Sequence, residues 1–340
     1  MSDRAALKSD FLRHSGWDDA VRVLIAGDAS NRTYERLTLG GETRILMDAP
    51  PQKGEDVRPF LSVTQILRYA GLSAPKIYAE DVSRGFLLIE DLGDDLFARV
   101  IAANPQLEQP LYKAAVDVLL HLHHSSAPNL VRFDAPAMSK ATGLVFDWYQ
   151  RATSGSANAA ARDRFDAAFQ STLKPLDAVR PVLIQRDYHA ENLIWLPDRQ
   201  GLMRVGLLDY QDAVLGHPAY DLVSILQDAR RDVSPDLQRA MIDRHIARSG
   251  ADPDDFRNAY ALLGLQRNLR ILGVFTRLAL DRGKPSYIDL IPRVWGHIET
   301  GLAQPAAAPI APLILSELPA PTPAILQSLK DQCQSVPQPS

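Results

Sequence analysis

The chain has 340 residues, more than one compact domain usually holds, so two lobes are expected. Its 46% hydrophobic and 23% charged residues suffice for ordinary soluble cores, and a net charge of −4 leaves no basic footprint for nucleic acid and no polybasic membrane anchor. A single cysteine, Cys333, excludes an intrachain disulfide and fits a reducing compartment.

At the N-terminus, MSDRAALKSDFLRHSGW mixes both charge signs without the apolar core and cleavage site of a signal peptide. Together with the lack of an apolar run of roughly 18 residues, this makes a cytoplasmic protein the expectation. Residues 4–16 read as a short helix. Val21–Ile25, Thr33–Leu39 and Arg44–Met47 read as strands of an antiparallel meander, joined by the turns GDASN and GGE. Apolar residues at helical spacing predict a helix over Asp56–Ala70, and Lys76–Ala79 and Gly85–Glu90 read as two further strands. A first lobe therefore ends near Leu92. From Leu96 the pattern is mainly helical, with helices over Leu111–His124, Ala159–Phe169, Leu237–Arg248, Tyr260–Asp281 and Ile288–Leu302. Short strands interrupt it at Val182–Gln185, Asn192–Leu196 and Val205–Leu208. After Gln304 the Pro- and Ala-rich composition reads as an extended tail. The expected division is thus a nucleotide-binding lobe over 1–92, a catalytic and substrate-binding lobe over 93–303, and a tail over 304–340.

Two segments carry the chemistry: LIQRDYHAENLIWL, residues 183–196, and GLLDYQDA, residues 206–213. Strand-like runs flank a loop bearing Asp187, His189, Glu191 and Asn192, and a second run ends in Asp209. Phosphoryl transfer asks for a carboxylate beside the acceptor hydroxyl, hard oxygen ligands for magnesium, and a cradle for phosphates. Asp187 supplies the first, and Asn192 and Asp209 the second. A different chemistry can be drawn from the same residues, since Asp187, His189 and Glu191 alternate and could join Asp209 in a metal-dependent hydrolase site.

The pattern R-D-x-H-x-x-N followed by L-L-D resembles the catalytic and metal loops of the protein-kinase-like fold in its aminoglycoside phosphotransferase and choline kinase variant. The resemblance implies an α/β (α+β) architecture of two lobes, a small antiparallel sheet lobe followed by a larger, mainly helical one, with ATP and Mg2+ as cofactors. It implies that Asp187 accepts the hydroxyl proton, that Asn192 and Asp209 bind magnesium, and that His189 braces the loop. Ser30, Asn31 and Arg32 would lie in a loop over the ATP phosphates. The backbone from Glu90 to Leu92 would face adenine, and Asp221 in AYDLVSIL would steady the catalytic loop, helix capping being its alternative role.

One departure stands out. The third strand of this fold normally carries a phosphate-contacting lysine paired with a helix glutamate. Here it reads TRILMDAPP, with Met47 or Asp48 near that position and no lysine. Glu55 could be the glutamate, and Arg32, Arg44 and Lys53 are the candidate cations. The missing lysine also opens a non-catalytic pseudokinase reading.

GDASNRTYERL, ILMDAPP, GLLDYQDAV and LQRNLRILGVFTRL resemble the bacterial anomeric kinases of N-acetylmuramate and N-acetylglucosamine in cell-wall recycling. The implied partner is a small hydroxyl compound, an amino sugar, with aminoglycosides and other small alcohols as alternatives. Asp147 and Trp148 in FDWYQ offer a carboxylate and an aromatic surface for a sugar, or belong to a buried helix. Arg267 or Arg270 could meet the lactyl carboxylate of N-acetylmuramate, or make surface or interlobe ion pairs. Asp212 is a further sugar contact on this reading.

Overall fold

The computed structural model describes residues 3–25, 31–126, 130–156 and 158–334. In chain order the elements are α1 (Asp3–His14), β1 (Val21–Ile25), β2 (Thr33–Leu39), β3 (Glu42–Asp48), α2 (Arg58–Tyr69), β4 (Ile77–Asp81), β5 (Phe86–Glu90), α3 (Phe97–Ala103) and α4 (Glu108–Leu122). Then come α5 (Ala135–Thr142), a π-helical segment Val145–Gln150, α6 (Arg151–Ser154), α7 (Ala159–Leu173), β6 (Val182–Ile184), β7 (Leu193–Trp195), β8 (Val205–Leu207) and β9 (Val214–Gly216). The chain continues through α8 (Ala219–Leu226), α9 (Pro235–Ser249), α10 (Pro253–Arg282), α11 (Ile291–Leu302), α12 (Ala311–Glu317) and α13 (Pro323–Gln334). The residues separate into two compact units, 1–118 with 190–213, and 119–189 with 214–340. The partition falls inside α4, whereas the sequence reading divides the chain at Leu92. No helix among the described residues is long and apolar enough to cross a membrane.

The first unit is built on an antiparallel sheet in the order β1-β2-β3-β5-β4. Successive side chains of a strand face opposite sides, and β3 serves both faces in this way. Leu46 packs with Leu37, Phe86 and Leu88 against Phe11 and Leu12 of α1, while Ile45 and Met47 line a cavity. Asp48 goes with Leu46: it accepts from Arg4 Nε at 3.0 Å and pairs with Lys8 Nζ at 3.0 Å, both on α1. On α2, Phe60, Val63, Thr64 and Leu67 are buried at helical spacing. Phe60 stacks on Tyr210 with centroids 5.0 Å apart, and the Tyr210 hydroxyl lies 2.7 Å from Thr64 Oγ1. β7 and β8 form an antiparallel pair with Leu193 opposite Leu207.

In the second unit β6 pairs antiparallel with β9, a strand the sequence did not suggest. Its long helix, α10, has terminal signals in the sequence: Asp252 caps it by accepting from the amides of Asp254 and Asp255, Pro253 opens it, and Gly283 closes it at φ 63°. The expectation of an extended tail after Gln304 gives way to helix. Ile314, Leu318, Leu329 and Cys333 are buried, and Cys333 Sγ donates to the Ala279 carbonyl on α10 at 3.0 Å. Up to Gln334, the prolines of this segment sit at helix starts or between helices, where their missing N–H costs little, so a Pro-rich composition did not prevent folding.

Candidate active site

Two short strand pairs set the site residues in place. Asn192 immediately precedes β7 and Asp209 follows β8 by two residues, so the antiparallel pairing brings them to the same end. Leu208 N donates to the Asn192 carbonyl at 3.0 Å, extending the ladder. Asn192 Nδ2 then lies 3.4 Å from Asp209 Oδ2, and Gln211 Nε2 donates to Asp209 Oδ1 at 2.8 Å. Asp209 has φ 55°, a left-handed conformation that aspartate tolerates better than most residues.

Asn192 and Asp209 line a cavity of about 420 Å³ whose walls include Tyr34, Met47, Glu90 and Leu92, a size suited to a small ligand. Glu90 is fixed there by Arg199 Nη2 at 2.7 Å and by the Lys76 amide at 3.1 Å. Met47 occupies the wall position where a strand lysine was looked for. Arg32, the residue before β2, pairs through Nε with Glu55 Oε2 at 2.8 Å, with both side chains largely covered. The Tyr34 hydroxyl shares their field and also that of Asp209, and burial raises its pKa. Arg44 is turned elsewhere, with its guanidinium 4.0 Å from the centre of the Tyr78 ring, and Lys53 is exposed. Ser30 lies outside the described residues, whereas the Asn31 amide donates to Glu55 Oε1 at 3.0 Å.

The second unit carries Asp187 on the loop after β6. That loop is gripped by α8: Asp221, wholly buried, accepts from the Gln185 amide at 2.6 Å and from the Arg186 amide at 2.9 Å. Burial pushes the Asp221 carboxyl up to about 7, against the pull of those two amides and of Arg267. Burial would also raise the Asp187 carboxyl, but the guanidinium groups of Arg267 and Arg270 outweigh it and hold that carboxyl below the usual range. Arg267 Nη2 lies 4.0 Å from Asp187 Oδ1. His189 is buried, which lowers its imidazole to about 4 and keeps it neutral.

The substrate-side expectations scatter. Asp147 is exposed and paired with Arg162 of α7 at 2.6 Å, beside a half-buried Trp148 on the π-helical segment. Asp212 is exposed in the first unit. Arg267 is only 4% exposed and donates to Ser224 Oγ at 2.7 Å. Sequence reasoning missed Arg36, which lines the cavity and pairs with Asp91 and Asp94, each at 2.7 Å. It also missed Ser224. Arg36 lies on a strand with regular alternation, and its position two residues from Tyr34 was the available signal. Among the described residues no group of three or more His, Cys, Asp and Glu side chains is arranged to hold a metal ion. The alternation that suggested a hydrolase centre therefore does not assemble one.

Comparison with known proteins finds a match to the phosphotransferase enzyme family over residues 22–259. The chain belongs to that family. An N-acetylmuramate/N-acetylglucosamine kinase of Caulobacter vibrioides is 40% identical, the match covering 90% of this chain and 94% of that protein. A protein of the same name from Pseudomonas putida is 30% identical over 90% of this chain and 92% of its own. Among solved structures, a choline/ethanolamine kinase family protein from Mesorhizobium loti superimposes with a TM-score of 0.63 at 14% identity, covering 92% of this chain and 99% of that one. This phosphotransferase thus shares their fold, an antiparallel sheet preceding a larger helical part, and the match includes both loops that carry Asp187, Asn192 and Asp209.

Proposed function

We propose that the protein is a cytoplasmic kinase that transfers the γ-phosphoryl group of ATP to the anomeric hydroxyl of N-acetylmuramate or N-acetylglucosamine. The observation that carries this reading is the 40% identity to the Caulobacter kinase, which spans nearly the whole of both chains. Site chemistry supports it. Asp187, kept ionised by neighbouring guanidinium groups, accepts the acceptor's proton as the hydroxyl attacks, a role contributing about 10²–10⁴-fold. An anomeric hydroxyl is more acidic than an ordinary alcohol and suits a carboxylate base. Neutral His189 and the doubly bonded Asp221 hold the loop's shape.

Nucleotide binding falls to the cavity of the first unit, with adenine against the Glu90–Leu92 backbone. Asn192 and Asp209 stand side by side, with Asn192 Nδ2 3.4 Å from Asp209 Oδ2, and the oxygens of an amide and a carboxylate are hard donors of the kind magnesium takes together with phosphates and water. Bound there, the ion would neutralise charge on the phosphates. Arg32, with Glu55, takes the part of the absent strand lysine.

Arg270 is the group for the lactyl carboxylate of N-acetylmuramate. It is half-buried, has no hydrogen-bond or ion-pair partner among the described residues, and its charge reaches Asp187. Trp148 remains the aromatic candidate for the sugar ring.

A panel of acceptors with ATP and magnesium tests the reading: N-acetylmuramate, N-acetylglucosamine, glucose, choline and kanamycin. The expected product is the 1-phosphate of an N-acetylated sugar. Phosphorylation of kanamycin alone would overturn the sugar assignment.

A further inference from the structure

We propose that Arg267 is a positioning residue for the catalytic loop, acting through Ser224 on the Arg186 carbonyl and across 4.0 Å on the Asp187 carboxylate. The inference rests on Asp187 being the base. Its starting point is the backbone just before that residue. Arg186 has φ 71°, and only Arg186 and Asp209 among the described non-glycine residues are left-handed. Such a conformation is held only when its surroundings determine it. Here both peptide groups that flank the left-handed Arg186 are fixed. Asp221 Oδ1 accepts from the Arg186 N–H at 2.9 Å, and on the carbonyl side Ser224 Oγ donates to Arg186 O at 3.1 Å. Ser224 in turn accepts from Arg267 Nη2 at 2.7 Å, so its hydroxyl is oriented toward that carbonyl. A chain of hydrogen bonds thus ties α10 to the peptide preceding Asp187.

Arg267 also answers an electrostatic need. The charged and titratable groups acting on Asp187 include Arg186 and His189 from its own loop, Asp221 from α8, and Arg267 and Arg270 from α10. Asp221 opposes ionisation of Asp187, and Arg267 is the foremost of the groups that favour it. A buried arginine needs a nearby anion to be tolerated, and the two aspartates meet that need in return.

The test uses N-acetylglucosamine as acceptor, a neutral sugar, so carboxylate recognition plays no part. For R267Q the expected result is a fall in kcat of about 10-fold or more, KM values within about twofold, and an acidic limb of the kcat profile displaced upward by about one pH unit. R267K should restore the limb toward wild type, and S224A should lower kcat without moving it. An unmoved limb in R267Q, or a raised sugar KM with kcat intact, would overturn the proposal. If R267Q shows no cooperative melting transition, R267K and S224A decide, and wild-type kcat in S224A counts against the hydrogen-bond chain. D187N keeps the two ideas apart. Wild-type turnover in D187N removes the underlying assignment, whereas an inactive D187N beside an unmoved R267Q limb removes only this inference.

Discussion

Asp209 shows how much a single residue is asked to do. It sits at φ 55°, is exposed, and holds Gln211 Nε2 at 2.8 Å on one oxygen while Asn192 Nδ2 stands 3.4 Å from the other. Asparagine tolerates the same left-handed backbone and keeps the side chain's shape, so Asp209→Asn removes the charge and one of the two acceptor oxygens. Nucleotide affinity measured by calorimetric titration should fall by about 10-fold in the presence of magnesium and stay near wild type in its absence. Equal losses under both conditions would make Asp209 a structural residue. Asp187, Asn192 and Asp209 stand out in the sequence as candidates because their spacing is local: one loop between two strands, and the end of the next strand. Arg267 could not be assigned that way. Whether a guanidinium on α10 faces solvent or Ser224 depends on which turn of the helix packs against α8, and both Arg267 and Arg270 fit the same sequence pattern.

At the level of elements, periodicity served well where the element is long. The sequence reading of Tyr260–Asp281 found the body of α10 but missed its first seven residues, although Asp252, Pro253 and Gly283 delimit the helix, and the alternation in β2 and β3 marks both strands. It served poorly for β9 and for α3, which span three and seven residues and carry too few positions to show a period. A contact that sequence cannot show is the crossing of α10 with the segment beginning at Leu144. A Cβ on Gly273 would stand 2.4 Å from the Leu144 carbonyl carbon, closer than two atoms can pack. Gly273→Ala should therefore destabilise by about 1–3 kcal/mol in a denaturant titration, despite alanine's better helix propensity. Gly296, exposed on α11 with nothing within 4 Å of such a Cβ, supplies the contrast, and its replacement by alanine should stabilise by about 0.5–1 kcal/mol. Equal effects at the two positions would contradict the close crossing.

For the whole molecule, each compact unit carries its own set of candidate residues. The first holds the cavity with Asn192, Asp209 and the Arg32–Glu55 pair, and the second holds Asp187 with its supporting network. The C-terminal helices belong to the second unit, where Tyr149 Oη donates to the Pro319 carbonyl at 2.8 Å and Lys330 pairs with Asp289 at 2.6 Å. The Pro- and Ala-rich composition hid a helical period that is present, since the buried residues Ala307, Ile310, Ile314 and Leu318 recur every three or four positions. The central claim is that Asp187 drives phosphoryl transfer from ATP to a sugar's anomeric hydroxyl. Its most direct test follows product formation by phosphorus NMR for wild type and Asp187→Asn, with ATP, magnesium and N-acetylmuramate. The account predicts a sugar 1-phosphate from wild type and a rate lower by about 10²–10⁴-fold in the variant, with nucleotide binding retained. Phosphate on another hydroxyl, or an unchanged rate in the variant, would contradict it.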